Sequence, residues 1–470
     1  MYQAFIVKVS DLRPHPNADR LQIASFFGND TCVGLDVKIG DIGIYFPSDG
    51  QLSVEFCQVH DLVRRKDENG NPAGGYLDPD KRNIKAVKLR GEKSDGLYMP
   101  ISCLEYTGLD VKGDIEPGPL STSIEGHEIY QKYIPKAQHR VGNITEGNRT
   151  RKKHAPIAPL FSEHADTEQL AYNLGAFKSG DEIEITLKMH GTSQRTGYLP
   201  TLKGYKRTLW ERITRKEGTP IYDWGGVSGT RRVVLENYDG GFYGSNEFRE
   251  QHSKKFEGKL HKGETVYYEV VGFTHTGTSI MGECSNKKLN DKEFVKQYGE
   301  TTVFSYGCSP NGSTDGTTEV WATDAFGHKI MPFSVLPQSD IYVYRMTMTN
   351  EDGFVVEYTP DFMRYRCEQM GVKTVPVLWK GTIPENPASA EDATITPGEW
   401  IMNVAERFYD GPDPIGKTHV REGVVVRILN RPKFAAYKHK NHSFKMISGI
   451  ITESVADTKV EVNEDILAEL

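Results

Sequence analysis

The sequence predicts an α+β protein in which a small closed N-terminal β-barrel precedes a larger domain built on antiparallel sheet. Three observations carry this reading. Forty-six glycines and 24 prolines, many between short β-branched and aromatic runs, mark a strand-rich chain with many turns. At 470 residues the chain is long enough for about two or three domains with a large buried core. The stretch Glu182-Ile-Glu-Ile-Thr-Leu-Lys188 alternates polar and apolar residues, which as a half-buried strand turns Ile183, Ile185 and Leu187 to the core and Glu184, Thr186 and Lys188 outward.

Composition narrows the class further. A net charge of -7, 37% hydrophobic and 26% charged residues describe a soluble globular protein, so any nucleic-acid binding has to be local. No apolar run approaches the roughly 20 residues of a membrane span, and Met1-Tyr-Gln-Ala-Phe begins a strand rather than a signal peptide. A cytoplasmic monomer without membrane association is the expectation. The six cysteines are scattered without a Cys-x-x-Cys pair, which suggests buried thiols rather than a zinc site or a disulfide framework.

Residues 1–115 read as short strands, Phe5-Ile-Val-Lys-Val, Ile42-Gly-Ile-Tyr-Phe, Ile84-Lys-Ala-Val-Lys-Leu and Gly96-Leu-Tyr-Met, separated by turn residues. This pattern fits an OB-like barrel with a nucleic-acid-binding face. His15-Pro-Asn-Ala-Asp-Arg-Leu21, Gly40-Asp-Ile-Gly-Ile-Tyr-Phe-Pro and Leu89-Arg-Gly-Glu-Lys-Ser-Asp-Gly-Leu-Tyr98 resemble the tRNA-binding OB domains attached to some aminoacyl-tRNA synthetases. Residues 116–160 read as a linker ending in a basic patch, Arg140, Arg149, Arg151, Lys152, Lys153 and His154, which suits a phosphodiester backbone or a solvated face.

The larger domain, 161–450, opens with Phe161 to Leu174, where Leu170 and Leu174 lie four apart and predict a short helix. Lys188 then ends the alternating strand. Gly191 gives a bend where backbone N–H groups approach an anion, and Thr192 and Ser193 add hydroxyls. Downstream come Arg231 and Arg232 before β-branched residues, Glu269 inside Thr265-Val-Tyr-Tyr-Glu-Val-Val-Gly272, and Tyr342 and Tyr344 on one face of a strand. Phe304 and Tyr306 form a second aromatic pair, a helix is expected from Pro360 to Met370, Glu422-Gly423 stands at the mouth of an apolar strand, and Lys438 and Lys440 alternate. The tail, 451–470, is acidic and reads as solvated.

Asp166-Thr-Glu-Gln169-Leu followed by Lys188-Met-His-Gly-Thr-Ser193 closely resembles the opening of the adenylation domain of ATP-dependent RNA ligases, covalent nucleotidyltransferases. The likeness is to the Deinococcus type, which carries an N-terminal OB domain, and to the nick-sealing ligases of T-even phage. The resemblance implies an antiparallel-sheet adenylation domain, ATP and Mg2+ or Mn2+ as cofactors, and RNA, as a nicked duplex or bridged ends, as partner. It implies that Lys188 is the nucleophile and that Lys438 and Lys440 contact the phosphates. One of Arg231 or Arg232 contacts the nucleotide, Tyr344 (or its rival Tyr306) stacks on adenine, Glu269 binds the ribose hydroxyls or metal, and Glu422 binds metal. Leu187 departs from the pattern, since many relatives carry there a glutamate that contacts adenine.

The chemistry makes its own demand. A lysine amine has a pKa near ~10.4, so its unprotonated form lies roughly 4 to 5 kcal/mol uphill at neutral pH. Carboxylates beside it make sense only with a divalent metal and further cations to offset them. A different covalent nucleotidyltransferase, such as a DNA ligase or an mRNA guanylyltransferase, or an RNA-binding protein without activity, stays open on sequence. His190 before Gly191 favours the RNA ligase branch, because the other branches usually carry aspartate there.

Overall fold

The computed structural model describes residues 3–48, 50–65, 74–113, 115–133, 155–165, 167–213, 218–235, 238, 243, 245–314, 319–388, 395–449 and 451–453. The basic patch from Arg140 to His154 lies outside the described residues, as does Asp166. The chain divides into two compact units, Met1–Glu146 with Lys288–Asn290 and Lys445–Leu470, and Gly147–Lys287 with Asp291–Phe444.

In the first unit the strands expected at Phe5–Lys8, Ile42–Phe46 and Leu97–Pro100 form and pair antiparallel. The expected closed OB-like barrel does not appear among the described residues. The strands are only two to six residues long and fall into separate sheets, one of four strands and others of two or three. Phe46, Phe56, Leu62, Leu104 and Tyr130 fill its core. Within the stretch read as a linker, Gly118–Pro119 pairs with Phe5–Lys8 and Tyr130–Lys132 with Gly50–Leu52.

The second unit is built on two sheets. The five-stranded one runs in the order Glu168–Gln169, Ala435–Lys440, Gly423–Ile428, Glu182–Leu187, Val377–Thr382, antiparallel except for its first pair. Ile183, Ile185, Val424, Val426 and Ile428 turn one face onto the helix Pro397–Glu406, through Ile401, Val404 and Ala405. That helix is started by a Thr396/Glu399 capping box with Pro397 in its first turn. The six-stranded sheet takes Thr219–Gly229, Thr192–Lys206, Glu264–Gly272, Ser339–Thr349 and Val355–Glu357 in order, with Lys373–Thr374 parallel to Ser339–Thr349. Val266, Tyr268, Val270, Ile341 and Val343 pack under Phe248 and under Met363, Cys367 and Met370 of the helix Pro360–Met370, which sits where the sequence expects it.

Two local expectations change. Leu170–Tyr172 and Leu174–Ala176 are separate 3-10 turns, not a helix, because Glu168–Gln169 is drawn into the sheet edge first. Glu184 does not face water: it is 2% exposed, and Arg364 donates from both terminal nitrogens to its carboxylate at 3.1 and 2.8 Å. The covering helix supplies a partner that no local pattern announces.

Glu264, fully buried at the start of its strand, is paired as completely. Arg366 donates to both its oxygens at 2.9 and 2.8 Å, and Tyr358 and the His261 N–H add bonds of 3.0 and 2.8 Å. Removing one partner of a buried ion pair strands the other. Arg366→Ala is expected to destabilise the protein by about 3 to 5 kcal/mol in urea unfolding. A loss below about 1 kcal/mol would show this pair to be energetically idle.

Candidate active site

The chain crosses from one sheet to the other at Lys188-Met-His-Gly191. The strand Glu182–Leu187 belongs to the five-stranded sheet and the strand Thr192–Lys206 to the six-stranded one. Lys188 still donates its backbone N–H to the Gly423 carbonyl, so the nucleophile candidate sits on the last rung of the ladder. Gly191 lies hard against the Glu269 strand: a Cβ there would come within 2.4 Å of the Val270 carbonyl and 2.8 Å of Glu269 Cγ. Any side chain at 191 therefore forces the crossing away from Glu269.

Five of the expected residues, Lys188, Ser193, Glu269, Glu422 and Lys440, meet at this crossing. Lys188 Nζ is 2.8 Å from Glu422 Oε1, and Lys440 Nζ reaches the same oxygen at 3.5 Å. His190 Nδ1 is 3.4 Å from Glu422 Oε2. Glu422 directly precedes its strand, held by Asn441, whose N–H donates to the Glu422 carbonyl. Gly423, at φ +144°, makes that turn possible, since a Cβ there would sit 2.1 Å from the His439 carbonyl. Glu269 comes from the other sheet and accepts from Ser193 Oγ at 3.2 Å.

The two carboxylates differ electrostatically. Burial would raise Glu422, but Lys188, Lys440 and His190 outweigh it and hold the group well below the usual carboxylate range. Burial pushes Glu269 up to about 7, against the pull of Lys188 and with the push of the Glu422 charge. The signs are opposite in stability. Glu269, raised, contributes stability that is fully present below its ordinary value of 4.5 and lost as pH rises through about 7. Glu422, depressed, contributes stability above 4.5 that is lost only in strong acid. In metal-free buffer the melting temperature of the wild type should accordingly fall relative to Glu269→Gln between about pH 5 and 8. A constant difference across that range would rule the raised carboxyl out.

The remaining expected residues are placed as follows. Lys438 lies on the same strand as Lys440, two residues before it and opposite Val425. Tyr344 is partly exposed with the His164 ring edge-on at 5.4 Å. Its rival Tyr306 is 2% exposed, accepts the His190 N–H on its hydroxyl at 2.8 Å and packs against His419, so it belongs to the wall behind the site. Arg231 and Arg232 are exposed and sit in a bend after the strand Thr219–Gly229, where strand alternation does not sort them. The Arg231 carbonyl accepts from Arg195 and from the His164 N–H.

Sequence reasoning did not find the groups that brace this crossing. Arg249, 4% exposed, donates to the Thr192 hydroxyl at 2.5 Å and to the Ser193 carbonyl at 3.1 Å. Its guanidinium lies 5.3 Å from the Phe248 ring. The Ser193 hydroxyl thus donates to Glu269, while the Thr192 hydroxyl accepts from Arg249 and keeps its own proton to donate. His190 is wedged edge-on between Phe304 and Phe444 at 4.5 and 4.8 Å. Behind Phe304 and Tyr306 lie His419 and Asp413, both fully buried. Arg249, Asp413 and Phe444 are single residues far apart in sequence, with no spacing to read.

Among the described residues no group of three or more His, Cys, Asp or Glu side chains is arranged to hold a metal. Two carboxylates, Glu269 and Glu422, are what the crossing offers. That suits an ion of the Mg2+ kind, which binds through one or two carboxylates and completes its shell with phosphate oxygens and water, and does not suit a closed all-protein cage.

The fold of this chain is similar to that of solved RNA ligase structures. The RNA ligase of Naegleria gruberi with PPi is 16% identical, covers 95% of this chain and 98% of its own, and superposes with a TM-score of 0.51. A mutant of that ligase with ATP and Mn gives 16% identity, 96% and 98% coverage and a TM-score of 0.51. Another mutant, with AMP and Mn, gives 16%, 94% and 98%, and 0.50. No protein family and no curated protein matches the sequence. Nor, among the described residues, is any helix long and apolar enough to cross a membrane.

Proposed function

We propose that this protein is an ATP-dependent RNA ligase that joins 3′-hydroxyl and 5′-phosphate ends through a lysyl-AMP intermediate, in nick sealing or RNA repair. The observation that carries the reading is Lys188 at the sheet crossing, 2.8 Å from Glu422 and flanked by Lys440, with Glu269 brought alongside by Gly191. The shared fold supports it, and the Naegleria structures carry ATP or AMP with Mn.

Lys188 attacks the α-phosphate of ATP; a P–N bond forms, the bond to pyrophosphate breaks, and the amine gives up its proton. Lys438 and Lys440, with Arg231 or Arg232, spread the charge that gathers on the phosphates. Tyr344, the partly exposed ring of the two rivals, stacks on adenine. Glu269 and Glu422 hold Mg2+ or Mn2+, which when bound neutralises developing phosphate charge. AMP then passes to the RNA 5′-phosphate, and the 3′-hydroxyl attacks that phosphate and expels AMP. Residues 161–450 are the adenylation domain in this reading, and the N-terminal unit, read from sequence as OB-like, lengthens the contacted RNA.

Incubation with labelled ATP or GTP and Mg2+, followed by denaturing electrophoresis, tests it. Label from ATP on the protein is expected. Label from GTP alone would make it a guanylyltransferase, and none from either would make it a binding protein.

A further inference from the structure

The strand that leaves the crossing does not stop at the sheet. Thr192–Lys206 pairs with the Glu264–Gly272 strand only from Thr192 to Gly197, whereas its pairing with Thr219–Gly229 continues to Lys206. From Tyr198 outward the two strands form a ribbon roughly 26 Å long at about 3.3 Å per residue. Its root is packed: Leu199 and Val227 join Ala158 and Phe161, and the Leu202 N–H bonds the Ile157 carbonyl. Beyond Leu202 the ribbon turns to solvent, with Lys203, Lys206 and Arg207 exposed. The short helix Leu209–Ile213 at its end carries Leu209, Trp210 and Ile213 at 79, 70 and 73% exposure.

Charge identifies what such an arm meets. In a chain of net charge -7, the stretch from Tyr198 to Gly226 carries six Lys and Arg against three Asp and Glu. Two of the three acids are used locally: Glu211 accepts from the Thr208 N–H and hydroxyl, and Asp223 accepts from the Trp224 N–H. Among the described residues no carboxylate pairs with Lys203, Lys206 or Arg207. Exposed cations beside an exposed tryptophan match a polynucleotide, whose phosphates take the cations while a base or sugar packs on the ring.

We propose that this arm grips the RNA backbone away from the join, with Lys203, Lys206 and Arg207 on phosphates and Trp210 against a base or sugar. This rests on the ligase reading for the identity of the polynucleotide and adds a second contact to it. The triple variant Lys203→Glu/Lys206→Glu/Arg207→Glu, titrated with a fluorescent nicked RNA duplex in the absence of ATP, should bind at least about tenfold more weakly at 0.1 M salt. Its plot of log affinity against log salt should be shallower by about 2 to 3, as three lost phosphate contacts require. Trp210→Ala should weaken binding and leave that slope unchanged. Lysine adenylation from ATP without RNA should match wild type in both.

Wild-type RNA affinity and slope in the triple variant would overturn the proposal and leave the apolar tip as a protein-binding surface. If the triple variant also loses adenylation, its fold is damaged, and the neutral triple with glutamine decides by its slope. Failure of the wild type to take label from ATP would sink the ligase reading alone, since RNA binding by the arm is measured without ATP.

Discussion

A Lys188→Arg protein should take no AMP from ATP, with labelling below about a thousandth of wild type. Arginine keeps the charge and can keep the ion pair to Glu422, which lies 2.8 Å from the lysine amine, so the crossing and the fold are preserved. What it lacks is a free nucleophile, because a guanidinium with pKa above ~12 does not lose its proton. Sealing of RNA with an ordinary 5′-phosphate should vanish with the label. RNA supplied already adenylylated at its 5′ end bypasses the covalent step, and some sealing should return. Mass spectrometry provides the sharpest check: AMP on the Lys188→Arg protein at another lysine, such as Lys203 or Lys440, would overturn the site assignment.

Local period made most of the crossing readable. Glu182–Leu187, Glu264–Gly272, Ser339–Thr349, Gly423–Ile428 and Ala435–Lys440 all lie where alternation or a β-forming apolar run puts strands, and with them Lys188, Glu269, Tyr344, Glu422 and the Lys438/Lys440 pair. What alternation cannot see is the second layer. It turned Glu184 outward because nothing near it in sequence announces Arg364, and it cannot sort Arg231 from Arg232, which follow a strand that already ends at Gly229. Arg249 escaped notice for the same reason. A buried guanidinium on the helix Glu247–Lys254 is indistinguishable in sequence from a solvated one.

The N-terminal unit failed differently. Its four expected strands fall on strands, while others such as Leu21–Phe26 and Asn29–Gly34 went unread, and closure of a barrel depends on which edges find each other, a property of stagger and turn geometry rather than of pattern. The unit also gathers Lys288–Asn290 and the segment from Lys445 onward, with Ile451–Glu453 lying parallel to Ala86–Leu89. Return of distant segments to an early strand leaves no local trace.

Glu422→Gln should be the variant that the adenylylated RNA does not rescue. Glu422 is 3% exposed and serves three partners at once, Lys188 at 2.8 Å, Lys440 at 3.5 Å and His190 at 3.4 Å. Truncation to alanine would confuse chemistry with stability, since breaking a buried ion pair costs about 3 to 5 kcal/mol. Glutamine keeps the shape and removes the charge. If Glu422 acts only by holding Lys188, its loss affects only the step in which Lys188 takes part, and adenylylated RNA should be sealed at the wild-type rate. If it also holds a divalent metal, strand closure suffers too, because phosphate charge develops in that step as well. The second outcome is expected, with sealing of adenylylated RNA slower by at least about a hundredfold while Lys188→Arg retains measurable activity on the same substrate. The two carboxylates then separate in acid: Glu422, held ionised by Lys188, Lys440 and its hydrogen bond with His190, sets no limit above pH 5, whereas Glu269, pushed up to about 7, has to lose a proton before it can bind metal. Rates of both steps in wild type should accordingly rise with pH through about 7, and a flat profile would remove Glu269 from the metal site while leaving Glu422 in it.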